Sequence, residues 1–334
     1  MAAPSGDARP ASRPAALPAP LDLGGRGTPL QAADRLAGAL GLPAGALWVK
    51  RDDLTGVAGG GNKVRKLEWL GADALAWGCD TIVTGGAGQS NHVRLTAAAC
   101  ARLGLRCVAV LAGPPPPRPE GNLVLDRLLG AELRWLGSGD AASDLEGAVE
   151  EEAAAQRAAG ARPYAVPLGG SSPVGALGYV TCADELAAQA PSDALVVCAD
   201  GSGGTHAGLV AGFGDHGRVL GVNVGFADLV PRLPELAVAT AARAGRPVPG
   251  GAVQLDDGQP EPYGQPTDAT LEALELAARR EGLLLDPVYT GRALAALVAG
   301  VRAGRLGRDR PLVLLHTGGL PALFTARYGD WFVR

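Results

Sequence analysis

The sequence predicts an α/β protein built on open, twisted and mainly parallel β-sheet with helices on both faces. Three observations lead to this prediction. Short apolar runs alternate with alanine- and leucine-rich segments of helical length, which is the pattern of repeated βαβ units. The apolar runs are continuous instead of alternating with polar residues, as in strands that are buried on both faces. Glycine-rich segments directly follow several runs, at the edge where open α/β sheets bind ligands.

Each predicted element follows from one of these patterns. Continuous apolar runs predict strands over residues 81–84, 107–111, 132–136, 194–199, 219–224 and 312–315. Alanine- and leucine-rich segments predict helices over residues 90–103, 123–129, 144–158, 268–280 and 291–303. Ser90 stands at the start of the first of these helices and is a candidate N-cap, because its hydroxyl can accept a hydrogen bond from the first turn.

The composition is that of a folded protein with an excess of glycine. Of 334 residues, 50 are Gly and 47% are hydrophobic, which excludes a disordered chain. Thirty basic and 34 acidic residues give a net charge of −4, so we expect neither nucleic acid nor a membrane surface as a partner. No apolar run approaches the length of a membrane span. Residues 1–25, which lack the apolar segment of a secretory signal, are predicted to be a flexible lead-in.

The cysteines favour a reduced, cytoplasmic protein without a zinc site, and the histidines have separate expected positions. The five cysteines are odd in number and form no CxxC pair, so a disulfide framework is not expected. His92 and His206 lie in glycine-rich loops and are candidates to line a pocket, whereas His216 lies in a polar turn and is predicted to be at the surface.

Three glycine-containing loops connect a predicted strand to a following segment, over residues 85–92, 200–206 and 316–319. Backbone N–H groups of such a loop, together with a helix N-terminus, can bind an anion. The second loop is the best candidate for a phosphate site, because it combines small residues, two hydroxyls and a following helix. It matches neither the dinucleotide-binding nor the Walker pattern, and for any single loop a tight turn without a ligand is the alternative.

A second dense segment, over residues 50–68, combines basic and acidic side chains with three consecutive glycines. On charge alone, this segment would be a solvated start of a helix. Lys63 changes that interpretation, because it follows Gly59, Gly60, Gly61 and Asn62. Glycine allows a ligand to approach the backbone closely, and a lysine at such a place can attack a carbonyl to form a Schiff base.

Six motifs occur together in one order: KRDDL, GGNKVRKLE, GGAGQSNHVR, GSGGTHAG, DPVYTG and HTGG. In order and spacing they resemble the D-cysteine desulfhydrase and 1-aminocyclopropane-1-carboxylate deaminase family of pyridoxal-phosphate enzymes. The resemblance extends from about Leu47 to the C-terminus. It implies a tryptophan-synthase β-like fold (fold type II), usually as a homodimer. The large cofactor-binding domain would comprise residues 26–64 and 178–334, and the small domain residues 65–177.

The resemblance also implies which residues bind pyridoxal 5′-phosphate. Lys63 matches the lysine that holds the cofactor as an internal aldimine and, once released, takes the substrate Cα proton. Within the cofactor-binding set, Lys66 matches a residue that reaches the phosphate. Asn91 matches the side chain that contacts the pyridine 3′-oxygen, and Thr317 matches the residue at the pyridine nitrogen. The full set is Asn62, Lys63, Lys66, Asn91, Ser202, Gly203, Gly204, Thr205 and Thr317.

The substrate contacts are implied in the same way. Ser90 matches the hydroxyl near the substrate carboxylate, and Tyr263 and Tyr289 match two tyrosines that face the substrate. Asn91 and His92 complete the expected substrate-binding set. The expected catalytic residues are Lys63, Ser90, Tyr263 and Tyr289. For each tyrosine, packing with a hydrogen-bond partner is the alternative role.

The choice of reaction depends on three positions. The deaminase subgroup has Glu where this chain has Thr290, a non-hydroxyl residue where it has Thr317, and Gln where it has His92. We therefore expect α,β-elimination of a β-substituted amino acid, with D-cysteine converted to pyruvate, sulfide and ammonia. The alternatives are 1-aminocyclopropane-1-carboxylate deamination, a lyase for cysteate or a biosynthetic thio-amino acid, and a catalytically silent α/β ligand binder.

Overall fold

A computed structural model describes residues 17–137, 144–225, 229–257, 263–329 and 331. Its strands form two sheets, which confirms the predicted α/β class. The larger sheet has six strands: β1 (Leu30–Ala32), β2 (Leu47–Lys50), β7 (Leu195–Asp200), β8 (Val219–Asn223), β9 (Gln254–Asp256) and β10 (Leu312–Leu315). Their order is β1-β2-β10-β7-β8-β9, and every pairing is parallel except that of β1 with β2.

The smaller sheet has four parallel strands: β3 (Thr81–Ala87), β4 (Arg106–Ala112), β5 (Glu132–Trp135) and β6 (Pro163–Ala165). Their order is β5-β4-β3-β6. The described helices are α1 (Asp34–Ala39), α2 (Lys63–Ala76), α3 (Asn91–Leu103), α4 (Asn122–Leu128), α5 (Leu145–Ala158), α6 (Pro173–Gln189), α7 (Gly204–Phe213), α8 (Leu229–Arg243), α9 (Asp268–Glu281), α10 (Thr290–Arg302) and α11 (Ala326–Gly329).

Alternate residues of the central strands fill the two faces of the larger sheet. In β7, Leu195 and Val197 pack with α9 and α10, whereas Val196 and Cys198 pack with α6, α7 and α8. The strand is therefore buried on both faces, which explains why its sequence is apolar without alternation. All predicted strands and helices occur, with ends that differ by at most three residues.

The helices α1, α6, α8 and α11 were not predicted, and α2 and α7 were expected only as the helices that follow two glycine-rich loops. Helix α6 packs against both α2 and α7, so it lacks the single apolar stripe by which a helix is usually recognised. Its glycines permit this close packing: a Cβ atom at Gly178 would lie 2.2 Å from the carbonyl oxygen of Arg65 in α2. The predicted domain boundaries, 64/65 and 177/178, fall inside α2 and α6, and the division into two domains stays a prediction.

Of the predicted flexible lead-in, residues 1–16 lie outside the described residues. Its last part is packed instead: Leu23 is 2% exposed, and the N–H groups of Leu23 and Gly25 donate to Glu68 Oε1 in α2.

The KRDDL motif is part of a buried ionic network, so the interpretation as a solvated helix start is wrong. The Asp52 carboxylate is 0% exposed and accepts hydrogen bonds from Arg65 Nε at 2.8 Å and from the Tyr179 hydroxyl at 2.7 Å. The Lys50 amine donates to Glu185 Oε2 at 2.6 Å, and Arg65 donates to the same carboxylate. The network joins β2, α2 and α6 beneath the loop that precedes Lys63.

The cysteines are unpaired thiols, and all but Cys79 are buried. His216 is 5% exposed, which corrects the prediction of a surface position: it packs in a 3₁₀ turn between α7 and β8. Among the described helices, none is both long and apolar enough to cross a bilayer.

Candidate active site

A cavity of about 570 Å³ opens where the carboxyl ends of β3, β7 and β10 meet the starts of the helices that follow. This is the edge of an α/β sheet at which ligands bind. The cavity brings together every residue of the expected site: Asn62, Lys63, Lys66, Ser90, Asn91, His92, Ser202, Gly203, Gly204, Thr205, Tyr263, Tyr289 and Thr317. Their individual roles stay predictions.

The loop before Lys63 is held against the end of β10. The backbone N–H of Asn62 donates to the carbonyl oxygen of Thr317 at 3.0 Å. Gly61 has φ +134°, and a Cβ atom at Gly318 would lie 2.8 Å from the Cα atom of Gly61. These two glycines permit a contact that side chains would prevent, so the loop can deliver Lys63 to the cavity as the first residue of α2.

The chain has only three lysines, and Lys63 is the one whose amine can react with a ligand in the cavity, because the other two amines are hydrogen-bonded to protein acceptors. Lys50 is engaged in the buried network, and the Lys66 amine donates to the Gly169 carbonyl oxygen at 3.1 Å and to Ser171 Oγ at 3.2 Å. The Lys63 side chain is partly exposed because it opens onto the cavity, but the surrounding protein still desolvates its amine. This desolvation lowers the pKa of Lys63 to about 8.

The amines of Lys63 and Lys66 interact directly. Burial, and then the positive charge of Lys63, hold the pKa of Lys66 well below its usual value. Two ammonium groups this close repel each other, so the pair favours an anion between the lysines and the glycine loop. A phosphate group is such an anion, and a carbonyl carbon on the same ligand would meet a lysine amine that is partly neutral near pH 7.

The second glycine loop fits a phosphate. Helix α7 begins at Gly204, so its first N–H groups face this loop. A Cβ atom at Gly204 would lie 2.4 Å from Ser171 Oγ and 2.8 Å from Lys66 Nζ, so only glycine leaves this space open. Ser202 Oγ lies 2.7 Å from Ser171 Oγ, and the Asn62 side-chain amide donates to Thr205 Oγ1 at 3.1 Å. Glycine, lysine and hydroxyl groups thus converge on one small volume.

Sequence reasoning missed Ser171, although a signal for it exists. The run Gly169–Gly170–Ser171–Ser172–Pro173 resembles the other loops, since it comes after a strand and begins α6 with a serine N-cap and proline at the first position. No motif among the six includes it.

The first glycine loop leads into α3. Ser90 is the N-cap, as predicted: its Oγ accepts from the Val93 N–H at 3.3 Å. Asn91 Oδ1 accepts from the side-chain amide of Asn122 at 2.9 Å. His92 Nε2 lies 2.8 Å from Thr84 Oγ1, and burial holds the pKa of His92 well below its usual value, so the ring is neutral. His92 therefore contributes a neutral ring to the wall of the cavity.

The two tyrosines lie together on another wall. Their hydroxyl oxygens are 2.6 Å apart, and their rings meet edge to face with centroids 5.9 Å apart. Burial raises the pKa of Tyr263 to about 12 and that of Tyr289 well above its usual value. Asp286 holds the backbone of this segment by accepting from the Tyr289 N–H at 2.7 Å. Both phenols therefore stay protonated at neutral pH and can donate hydrogen bonds.

Thr317 and Thr290 contact each other beside the cavity. Their Oγ1 atoms are 3.0 Å apart, and Thr290 is 0% exposed. The sequence treated these positions as two separate differences from the deaminase subgroup. A carboxylate at position 290 would therefore face the residue at position 317.

His206 does not line the cavity, which corrects the prediction for it: the side chain is 0% exposed and forms a buried pair with Asp200 that the motifs did not indicate. Asp200 Oδ2 lies 2.6 Å from His206 Nδ1, and Asp200 lines the cavity at the end of β7. Cys198 lies nearby, and each of the three residues offers one atom that could bind a metal ion. These atoms lie within 4.8 Å of one another. A direct contact of 2.6 Å is shorter than the separation of two ligands on one zinc ion, whose bonds are about 2.0–2.2 Å each in tetrahedral geometry. The negative charge of Asp200 instead offsets part of the lowering of the pKa that burial causes in Lys63 and Lys66.

Comparison with known proteins agrees with this geometry. Residues 21–318 match the family described as pyridoxal-phosphate dependent enzyme. The chain belongs to this family. This membership confirms the predicted cofactor and an enzyme in place of a silent ligand binder.

Two curated relatives with high sequence identity are both named D-cysteine desulfhydrase. A D-cysteine desulfhydrase of Yersinia pestis (strain Pestoides F) is 44% identical over 318 residues, which cover 91% of this chain and 94% of that protein. A D-cysteine desulfhydrase of Serratia proteamaculans (strain 568) is 43% identical over the same shares. These relatives confirm the resemblance that the six motifs indicated.

Solved structures confirm the fold. The crystal structure of an ACC deaminase homologue has a TM-score of 0.85 and 36% sequence identity, and the match covers 94% of this chain and 95% of that one. The processed form of threonine deaminase isoform 2 from Solanum lycopersicum has a TM-score of 0.63 at 20% identity and covers 87% of this chain and 79% of that one, which supports the fold alone.

Proposed function

We propose that this enzyme converts D-cysteine to pyruvate, sulfide and ammonia by α,β-elimination. The observation that carries the choice is the pair of hydroxyls on Thr290 and Thr317, 3.0 Å apart beside the cavity. In the deaminase subgroup, the resemblance places Glu and a non-hydroxyl residue at these positions. The relatives at 43–44% identity that are named D-cysteine desulfhydrases support the same choice.

The cofactor contacts are proposed from the arrangement of the cavity. Pyridoxal phosphate, when bound, withdraws electrons from the substrate Cα and so makes its proton acidic. Lys63 would hold the aldehyde carbon of the cofactor. The phosphate would lie among Lys66, Ser171 and the N–H groups that begin α7, and the ring would lie between Asn91 and Thr317. The remaining proposed contacts are Asn62, Ser202, Gly203, Gly204 and Thr205.

Lys63 is the proposed base at the substrate Cα. An amine must be neutral to take a proton, and a pKa of about 8 leaves roughly a tenth of the Lys63 amines neutral near pH 7. A solvated lysine would be neutral less often by a factor of several hundred. Burial of this amine therefore provides a base that works at physiological pH.

The substrate ends are bound by different elements. Ser90 and the N-terminus of α3 would bind the substrate carboxylate, since the helix dipole favours an anion at that end. The paired phenols of Tyr263 and Tyr289 remain protonated, so one of them can donate a hydrogen bond to the departing sulfur. Donation to a developing thiolate stabilises the charge that forms as the carbon–sulfur bond breaks.

A substrate panel tests this proposal. We expect sulfide and pyruvate in equal amounts from D-cysteine, with kcat/KM at least about 100-fold above the values for L-cysteine, cysteate and 1-aminocyclopropane-1-carboxylate. Sulfide, sulfite and 2-oxo acid would be measured in parallel for each substrate. The Lys63→Ala protein with the same added cofactor is the matched background, because free cofactor reacts slowly with amino acids. Turnover of the cyclopropane substrate alone, or of cysteate in preference to D-cysteine, would overturn the choice.

We further propose a homodimer in the cytoplasm. A second, open groove of about 570 Å³ exposes Leu284, Leu320 and Phe324, and Phe324 is 72% exposed. A second copy of the chain is the partner that the family resemblance supports for such an apolar surface. The unpaired cysteines support a reducing compartment. Light scattering should give twice 33.6 kDa, and a mass of 33.6 kDa at micromolar concentration would contradict the dimer.

A further inference from the structure

Asn122 lies behind the loop that carries Ser90 and Asn91. It is the first residue of α4 and is 0% exposed. Its side-chain nitrogen, Nδ2, donates to the Gln89 carbonyl oxygen at 2.8 Å and to Asn91 Oδ1 at 2.9 Å. Its backbone N–H donates to Gln89 Oε1 at 2.9 Å. Asn122 thus contacts both residues that flank Ser90.

These contacts fix the direction of each side-chain amide. A backbone carbonyl can only accept a hydrogen bond, so Asn122 must turn its Nδ2, and not its Oδ1, toward Gln89. That nitrogen has two hydrogens, and the second can only go to an acceptor, so Asn91 must turn its Oδ1 toward Asn122. Gln89 is fixed in the same way, because its Nε2 donates to the Glu120 carbonyl oxygen at 3.0 Å.

The consequence for Asn91 is that only its Nδ2 group remains for other contacts. Asn91 lines the cavity. Within the part of the chain that the structure describes, no acceptor is bound to this nitrogen, whose two hydrogens suit an anionic oxygen. If Asn122 did not fix the amide, Asn91 could rotate by half a turn and present an acceptor, which would repel such an oxygen.

We propose that Asn122 is a positioning residue that makes Asn91 a hydrogen-bond donor toward the 3′-oxygen of the cofactor. The proposal rests on the contact proposed above between Asn91 and the cofactor. A second feature supports it: Asn122 Oδ1 is buried without a hydrogen-bond partner among the described residues. An unpaired buried oxygen is unfavourable, and an apolar residue of similar size would avoid it. A residue that only filled space would not carry this disadvantage.

The test compares cofactor binding in Asn122→Asp, Asn122→Ala, Asn91→Ala and the double variant Asn91→Ala/Asn122→Ala. A carboxylate at position 122 has no hydrogen to donate, so Asn91 is expected to turn its own Nδ2 toward it and its Oδ1 toward the cavity. We expect Asn122→Asp to weaken binding of pyridoxal phosphate, so that the apparent Kd rises about tenfold, and to shift the absorbance maximum of the bound cofactor. Asn122→Ala is expected to act in the same direction.

The double variant separates positioning from general structural support. If Asn122 acts through Asn91, the double variant has the same Kd and absorbance as Asn91→Ala alone. Leu128→Ala, at a 79% exposed position of the same helix, is the matched control and should leave both readings unchanged. The inference is overturned if the Asn122 variants lower only the Tm, if the effects of the two single variants add, or if Asn91→Ala binds the cofactor normally.

These readings are independent of the substrate. A protein that binds the cofactor and shows the expected Asn122 effects but releases no sulfide from D-cysteine would contradict the proposed reaction alone. Normal sulfide release together with unchanged spectra in the Asn122 variants would contradict this inference alone.

Discussion

Replacement of Lys63 by alanine is expected to remove the yellow colour of the cofactor-bound protein and to lower kcat/KM for D-cysteine by at least about 10³-fold. The reason is that one amine serves both as the point of attachment and as the base at Cα. The other two lysines cannot replace it, because Lys50 is paired with Glu185 and Lys66 is held by Gly169 and Ser171. Absorbance spectra and sulfide release measure the two effects.

Lys66→Ala is the matched control for this prediction. It removes a buried amine one helical turn away, but it leaves Lys63 in place. We expect it to weaken cofactor binding while the bound fraction keeps its colour. Loss of colour in Lys66→Ala with retention in Lys63→Ala would show that the two lysines have the opposite roles.

Asp52→Asn is expected to lower the free energy of unfolding by about 3–5 kcal/mol, the range found when one partner of a buried ion pair is removed. Asp52 accepts hydrogen bonds from Thr28, from two nitrogens of Arg65 and from Tyr179. An amide of the same shape removes the charge and turns donor hydrogens toward donor groups, so Arg65 stays buried with an incomplete set of acceptors. Urea unfolding followed by circular dichroism measures the difference.

Asp53→Asn provides the comparison one residue away. Asp53 pairs with Arg51, and both side chains are about 15% exposed, so water compensates for part of the loss. We expect a change of about 1 kcal/mol or less. Equal destabilisation by the two substitutions would contradict the account of the buried network.

Much of the fold could be predicted because local patterns agree with it. β7 is a continuous apolar run, and its two faces are indeed covered by helices. Helix α9 shows the apolar spacing of a helix with one buried face, and it was predicted to within one residue. Helix α6 was missed since it is buried on several sides and contains glycine at contacts such as Gly178, where periodicity gives no signal.

The residues of the candidate site also fall into two groups: those that the sequence motifs indicated and those that only the fold brings to the cavity. The motifs indicated residues that lie near each other in sequence, such as Lys63 and Lys66 on one helix turn. They did not indicate groups that only the fold brings together. Ser171 meets Ser202 across 31 residues of chain, and Asn122 meets Asn91 across the same separation. Asn122 has no spacing that distinguishes it from other polar residues at a helix start. Ser171 is indicated only by the glycine–serine run before α6, which belongs to none of the six motifs.

We expect the cavity to hold pyridoxal phosphate on Lys63. Reduction of the cofactor-bound protein with borohydride, followed by peptide mass spectrometry, tests it most directly, because the reduced bond survives digestion. With only three lysines in the chain, the assignment is unambiguous. We expect the added pyridoxyl mass on Lys63 and on no other residue. The same mass on Lys66 or Lys50, or no modified peptide from a coloured protein, would contradict the account.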